Sequence, residues 1–260
     1  MKYLPIIICF LTITATPGFS QDTFKIGDPV FKAGEQLSYR LKYGFFTAAE
    51  ATIHVENSDK KFEGRTAFHI VADSKTAGAF DVFYKVRNRY ESYVDETTLQ
   101  PYFYTENRHE ASYKHSDNVT FNHHDDKITA NKGVFPFKGK VFDFLSAYYF
   151  SRSIDISKIK LGETFDLNYF LEDGVHTLSI TYVGKEQISS AIGTFNCLKF
   201  NPTIIPGRVF RKDSKLYLWI TDDNNRIPVK AHVELVVGSV TMDLTGAKEL
   251  KYPLNPLKEK

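Results

Sequence analysis

The chain has 260 residues, 42% hydrophobic, 15% aromatic and 25% charged, with a formal net charge of +2. A chain of this length can bury about 70% or more of its unfolded surface, so it needs no covalent staples. Its near-neutral, interspersed charge lacks the basic stripe that nucleic-acid binding requires, so no nucleic-acid partner is expected.

The first residues read as an export signal. Lys2 supplies a positive start, Leu4 to Ile13 form a short apolar run, and Gly18-Phe19-Ser20 places small residues at a cleavage site. A run of roughly ten apolar residues broken by Pro5 is too short for a bilayer core that needs about 20. Residues 1-20 are therefore expected to be a signal peptide removed near Ser20, and 21-260 to form a single mainly-β domain, exported to the periplasm or beyond. Cys9 would leave with the signal, and the single remaining thiol, Cys197, has no partner for an internal disulfide. No transmembrane segment is expected in the mature chain, and the polar tail lacks the terminal aromatic strand of an outer-membrane barrel.

From Gln36 onward the sequence alternates apolar and polar residues, the period of a half-buried strand. Leu37, Tyr39, Leu41 and Tyr43 oppose Gln36, Ser38, Arg40 and Lys42; after Gly44, Ala49, Ala51, Ile53 and Val55 oppose Glu50, Thr52, His54 and Glu56. The pair reads as a hairpin. Asn57-Ser58-Asp59 turns the chain into Thr66 to Asp73, and Ala79, Phe83 and Val86 suggest a short helical turn before a strand from Val86 to Val94. Between Tyr102 and Phe121 aromatic and polar residues alternate in a way that suggests two strands and leaves their faces ambiguous.

Phe142 to Ile154 is the clearest helix, with apolar residues recurring at three and four, Asp143 near its start and Arg152 near its end. Its polar face is so thin that it must be covered on most sides. After it come strands at Phe165 to Glu172, His176 to Tyr182, Thr194 to Pro202, Lys215 to Thr221, Ile227 to Val237 and Ser239 to Thr245, divided by Asp173-Gly174, Pro206-Gly207, Asp222 to Asn225 and Gly238. The expected fold is all-β and mainly antiparallel: a large curved sheet, or a closed or half-closed β-barrel, of roughly a dozen strands, with one main apolar helix (about 142-154) inside it or at one end.

Chemistry-bearing groups are sparse. His123, His124, Asp125 and Asp126 are metal-ligating types, but adjacent strand residues face opposite ways, and a polar hairpin connection explains them more simply. Asp222 to Asn225 lack the spacing of a calcium loop and fit a turn. Arg87, Arg89, Glu91 and Asp95 share one face; the functional reading has an arginine fork gripping a ligand carboxylate or phosphate, the plainer one has ion pairs on a solvated face. Cys197 alternates with Phe195 and Lys199 and reads as a core filler. No nucleophile elbow, zinc-protease motif, phosphate loop or dinucleotide fingerprint is present, so no cofactor is expected and the reading leans away from catalysis.

Ordered blocks of the sequence resemble an uncharacterised exported bacterial family, Domain of Unknown Function 3108. They are Gly34-Glu35-Gln36-Leu37-Ser38-Tyr39, Tyr43-Gly44 with Ala48 to Ala51, Val86 to Asp95 with Leu99 and Pro101, and Phe144 to Tyr149. Gly193-Thr194-Phe195 with Pro202, and Trp219 to Asp223 through Arg226 to Val229, complete the set. Ala49 stands where the family pattern would have a glycine. The resemblance implies an envelope protein of antiparallel β structure and carries over no catalytic residues. A more distant architectural analogy joins it to curved-sheet carriers of lipoproteins in the periplasm, whose concave surface holds acyl chains against a plugging helix.

The resulting functional reading is a non-catalytic cell-envelope protein that binds a lipid or other apolar small molecule inside its sheet. Tyr39, Leu41, Tyr43, Arg87, Arg89, Leu145, Tyr148 and Tyr149 are the candidate ligand contacts. The alternative is a structural protein with a filled core that engages another envelope protein, and the third reading is a hydrolase acting on envelope glycan.

Overall fold

The computed structural model describes residues 26–203 and 214–258. The expected signal peptide and the Pro206-Gly207 break lie outside the described residues.

Fourteen strands form one antiparallel sheet. The first half runs β1 (Gln36–Tyr43), β2 (Phe46–Asn57), β3 (Ala67–Thr76), β4 (Val86–Asp95), β5 (Pro101–Glu110), β6 (Tyr113–Asn122), β7 (Lys127–Ala130) and β8 (Gly133–Pro136). The second runs β9 (Thr164–Leu171), β10 (Gly174–Ser190), β11 (Gly193–Pro202), β12 (Leu216–Thr221), β13 (Pro228–Glu234) and β14 (Ser239–Lys248). Two helices interrupt the meanders, α1 (Gly78–Phe83) between β3 and β4, and α2 (Phe144–Ser153) between β8 and β9.

Each half is a simple meander, in which strands consecutive in the chain pair antiparallel with no crossover. The halves meet through β1 and β14, which pair from Gln36↔Lys248 to Tyr43↔Val240. That arrangement puts β8 and β9 at the two edges. The sheet curls so far that the edges approach without closing: the rings of Phe135 and Phe170 lie 5.2 Å apart, and Lys132 reaches Glu172 at 3.1 Å. In between, Phe142 forms a one-residue parallel bridge to β9, its N–H donating to Asn168 and its carbonyl accepting from Phe170.

Period-two alternation explains the interior. Ile53 and Val55, Phe68, Ile70 and Ala72, and Val94 come from the first half, and Phe165 and Leu167, Ile180, Phe200 and Ile220 from the second. All converge on α2, whose Leu145, Tyr149 and Phe150 are wholly buried. The helix thus lies in the concavity of the sheet, as its thin polar face required. Asp143 starts it with a capping box, accepting from the N–H groups of Leu145 and Ser146 while the Ser146 hydroxyl accepts from the Asp143 N–H.

Three strands differ from the sequence reading. β10 extends eight residues beyond Tyr182, through a stretch with no clean alternation, because β11 supplies a long partner and a register shift at Gly184 absorbs the mismatch. The short strands β7 and β8 continue the meander past the expected Asn122 to Asp126 connection, too brief to leave a periodic signature.

Candidate functional site

The carboxyl end of α2 closes one end of the interior with a buried ion pair. Arg152 donates to both oxygens of Glu35, at 2.5 and 3.0 Å, and to the carbonyl of Asn225 at 2.9 Å. Tyr149 donates to Glu35 at 3.2 Å, and Arg226 donates to the carbonyls of Arg152 and Ile154. Burial opposes the Arg152 charge; Tyr148, Glu35 and Tyr149 outweigh it and hold the guanidinium protonated. Tyr39 and Tyr148 complete the cluster, and their buried hydroxyls make no hydrogen bond of ordinary geometry with a described residue. Burial pushes both phenols up, that of Tyr148 to about 12 against the pull of Arg152.

The amino end of α2 is different. Here the sheet stands clear of the helix and leaves a cleft of about 260 Å³. Its apolar wall consists of Tyr90 on β4, Tyr104 on β5, Val119 on β6, the half-exposed Phe144 at the start of α2, and Phe170 and Leu171 at the end of β9. Tyr90 and Phe144 meet edge to face, with centroids 5.6 Å apart. Glu106, Arg108, Asp117 and Glu172 form the polar rim.

The rim is braced from behind. Glu106 accepts from Tyr104 at 3.3 Å and pairs with His115 at 3.1 Å; Arg108 donates to Glu110 at 3.1 Å, and Glu110 also accepts from Asn88. The Arg108 hydrogen bond holds Glu110 below the usual carboxylate range, and the Lys132 hydrogen bond does the same for Glu172. Beneath the cleft, Ser92 donates to Asp143 at 2.6 Å, and burial raises the Asp143 carboxyl despite its hydrogen bonds. Tyr104 is likewise pushed up, by burial first and then by Asp143 and Glu106. The arrangement suits an apolar or aromatic group whose polar end donates hydrogen bonds or is cationic, because carboxylates outnumber cations on the rim.

The sequence-predicted contacts fall in several places, and none lines this cleft. Tyr39, Tyr148 and Tyr149 come together at the Arg152 end, Leu145 is core, and Leu41 packs beside Leu37 and Leu244. Tyr43 does not join the interior: it lies at the end of β1, where its hydroxyl donates to the carbonyl of Val237 at 3.0 Å. Arg87 and Arg89 face outward on β4 and border an outer groove of about 420 Å³ over Ala51, Ser74 and Asn88. Arg87 grips Asp81 with both terminal nitrogens and Arg89 bonds Asp73 and Glu91, so a ligand anion there would have to displace a partner already held. This larger groove has paired charges and Ala51 as its one apolar lining residue, with no aromatic wall, which makes it the weaker candidate.

Glu106, Arg108 and Asp117 were not singled out in the sequence. The available signal was a face that passes from Phe121 and Val119 to Asp117 and His115, an inner face changing from apolar to charged where it leaves the helix.

The other motifs resolve as structure. His123 bonds the Pro101 carbonyl at 2.7 Å in the β6–β7 turn, and among the described residues no group of three or more His, Cys, Asp or Glu could hold a metal. Asp223 accepts from Thr221, Asn225 and Arg226, making the turn expected at Asp222 to Asn225. Cys197 is wholly buried and its thiol is pushed up to about 12 by burial, as suits a core filler. No helix among the described residues is long and apolar enough to cross a membrane.

The fold and cleft define a curved antiparallel sheet wound around one helix and open along a seam. The chain belongs to the family described as protein of unknown function (DUF3108), whose match spans residues 38–245. Among solved structures it is similar to a β-barrel-like protein of the DUF1849 family from Brucella abortus, with a TM-score of 0.54 and 9% identity over 82% of this chain and 96% of that one. A candidate exported protein with a YmcC-like fold from Bacteroides fragilis aligns at a TM-score of 0.36 and 11% identity, over 84% and 97% of the two chains. No curated protein matches the chain.

Proposed function

We propose that this chain is an exported, non-catalytic cell-envelope protein that holds the apolar part of a small amphiphile in the cleft at the amino end of α2. The supporting observation is an aromatic-walled concavity left between helix and sheet, with a braced, carboxylate-rich rim. Its 260 Å³ falls just below the roughly 300–1,000 Å³ of sites that enclose a whole drug-sized ligand. A ring or the end of a chain fits, with the rest of the ligand emerging past Glu172. Export rests on the segment from Lys2 to Ser20.

Native mass spectrometry with lipid extraction, on protein recovered from a bacterial periplasm without detergent, tests this reading. A retained mass of one chemical class is expected, lost in Phe144→Asp while the unfolding midpoint holds. An empty parent, or equal retention by parent and variant, would overturn it. The filled interior around Arg152 favours the second reading, a structural protein that engages another envelope component, and an empty parent would make co-purifying protein the next quantity to measure.

A further inference from the structure

Strongly exposed apolar side chains gather at one end of the sheet. Tyr43 pairs with Phe46 and Val240, and Ala49 with Thr76, so the β1–β2 turn, the α1 connection and the β13–β14 turn emerge together. Phe45 and Phe46 stand on the first, Val82 and Phe83 on the second, and Val236 and Val237 on the third; Phe45 is fully exposed and Phe83 is 87% exposed. These tips are held in place. Tyr43 bonds Val237 and lies against Gly238, where an added Cβ would come within 2.9 Å of its hydroxyl, and the Ala77 N–H donates to Ala48.

Behind the tips runs a belt in which cations prevail: Lys42, Lys75, Lys85, Lys215 and Lys230, with Arg87 already held by Asp81, against Glu50, Asp81, Glu234 and Asp243. Lys42 and Lys230 share Asp243, through an ion pair and a register contact, and Arg87 and Lys85 share Asp81. A grouped apolar exposure of this kind marks an interaction surface. We propose that this end docks on an anionic bilayer, with the Phe45, Phe46 and Phe83 rings entering the boundary between headgroups and acyl chains and the cationic belt meeting lipid phosphates. Separate projecting tips suit a fluid surface better than a protein groove, and the half-exposed Tyr84 gives the rim an amphipathic ring of the type found at membrane interfaces. The β9–β10 turn beside the cleft lies at this same end, since Leu171 and Gly174 close it beyond the Ile180↔Pro202 pair. The carboxylates beside that turn lie away from the three apolar tips, and the docking surface stands without the ligand reading.

Vesicle flotation tests it, using phosphatidylcholine with and without phosphatidylglycerol. Parent and variant chains share every other apolar segment, so the difference between them is the readout. The parent is expected to float with anionic vesicles and to release in high salt, and Phe45→Ser/Phe83→Ser to lose about tenfold or more of that binding with an unchanged unfolding midpoint. Failure of the parent to float, equal flotation of the double variant, or equal binding to neutral vesicles without salt dependence would overturn the proposal. A dimer that the double variant abolishes would overturn it too, by assigning the surface to a second copy.

Discussion

Arg152 and Glu35 are 117 residues apart in sequence and in direct contact, both wholly buried. Removing one partner leaves a charge stranded in the interior, so Arg152→Met should destabilise by about 3–5 kcal/mol, and adding Glu35→Leu should restore much of the loss. Urea midpoints of the two single variants and the double variant check this. Asp95 carries a pH dependence. Burial pushes its carboxyl up, but hydrogen bonds from Tyr102 and from the N–H groups of Thr98 and Thr97 outweigh that and leave it below its ordinary value. Its contribution is therefore present above the ordinary carboxylate range and is lost as pH falls through the lowered value. Asp95→Asn should cost about 1–3 kcal/mol at neutral pH and flatten the acid limb of stability against pH, as chemical denaturation across that range would register. Neither cluster was legible in the sequence. Arg152 could be read as a favourable charge at a helix end and Glu35 as part of a family block, but periodicity says nothing about a partner more than a hundred residues away.

At the scale of elements, the alternation from Gln36 and the apolar run from Phe142 were enough to place most strands and α2, because each has a buried face that repeats along it. The cleft was less visible. It is built by β4, β5, β6, β9 and α2 together, and where β5 leaves the helix its inner face carries Glu106, Arg108 and Glu110, so polarity there no longer separates inside from outside. The α2 cap gives a sharp test. Asp143→Ala removes the acceptor for two helix N–H groups and should cost about 1–2 kcal/mol. Asp143→Asn keeps an acceptor and removes a charge that burial disfavours. Because the Asp143 value is raised, its stabilisation is greatest at low pH and declines as pH rises through that value, the reverse of Asp95. The Asn variant should accordingly match or exceed the parent at neutral pH in thermal melts.

Across the whole molecule, α2 touches strands of both meanders, and β1 and β14 join the halves by backbone bonds. Unfolding should therefore be a single transition. Fluorescence of Trp219, the one tryptophan, sits in the second half, and its denaturation curve should coincide with far-UV dichroism of the whole sheet. Separate curves would divide the chain into two cooperative units and contradict the single domain expected from the sequence.

The β1–β14 pairing also sets an order of arrival. β1 is made before every other strand of the sheet, yet one of its two neighbours does not exist until the chain has been extended to Lys248. The same order holds at the ribosome and on export, since β1 emerges before β14 in either case. Until β14 arrives, β1 offers a bare edge with Leu37 and Tyr39 on one face, a template for any strand nearby. Folding of this protein is thus a race between its own last strand and whatever other strand reaches the first one sooner.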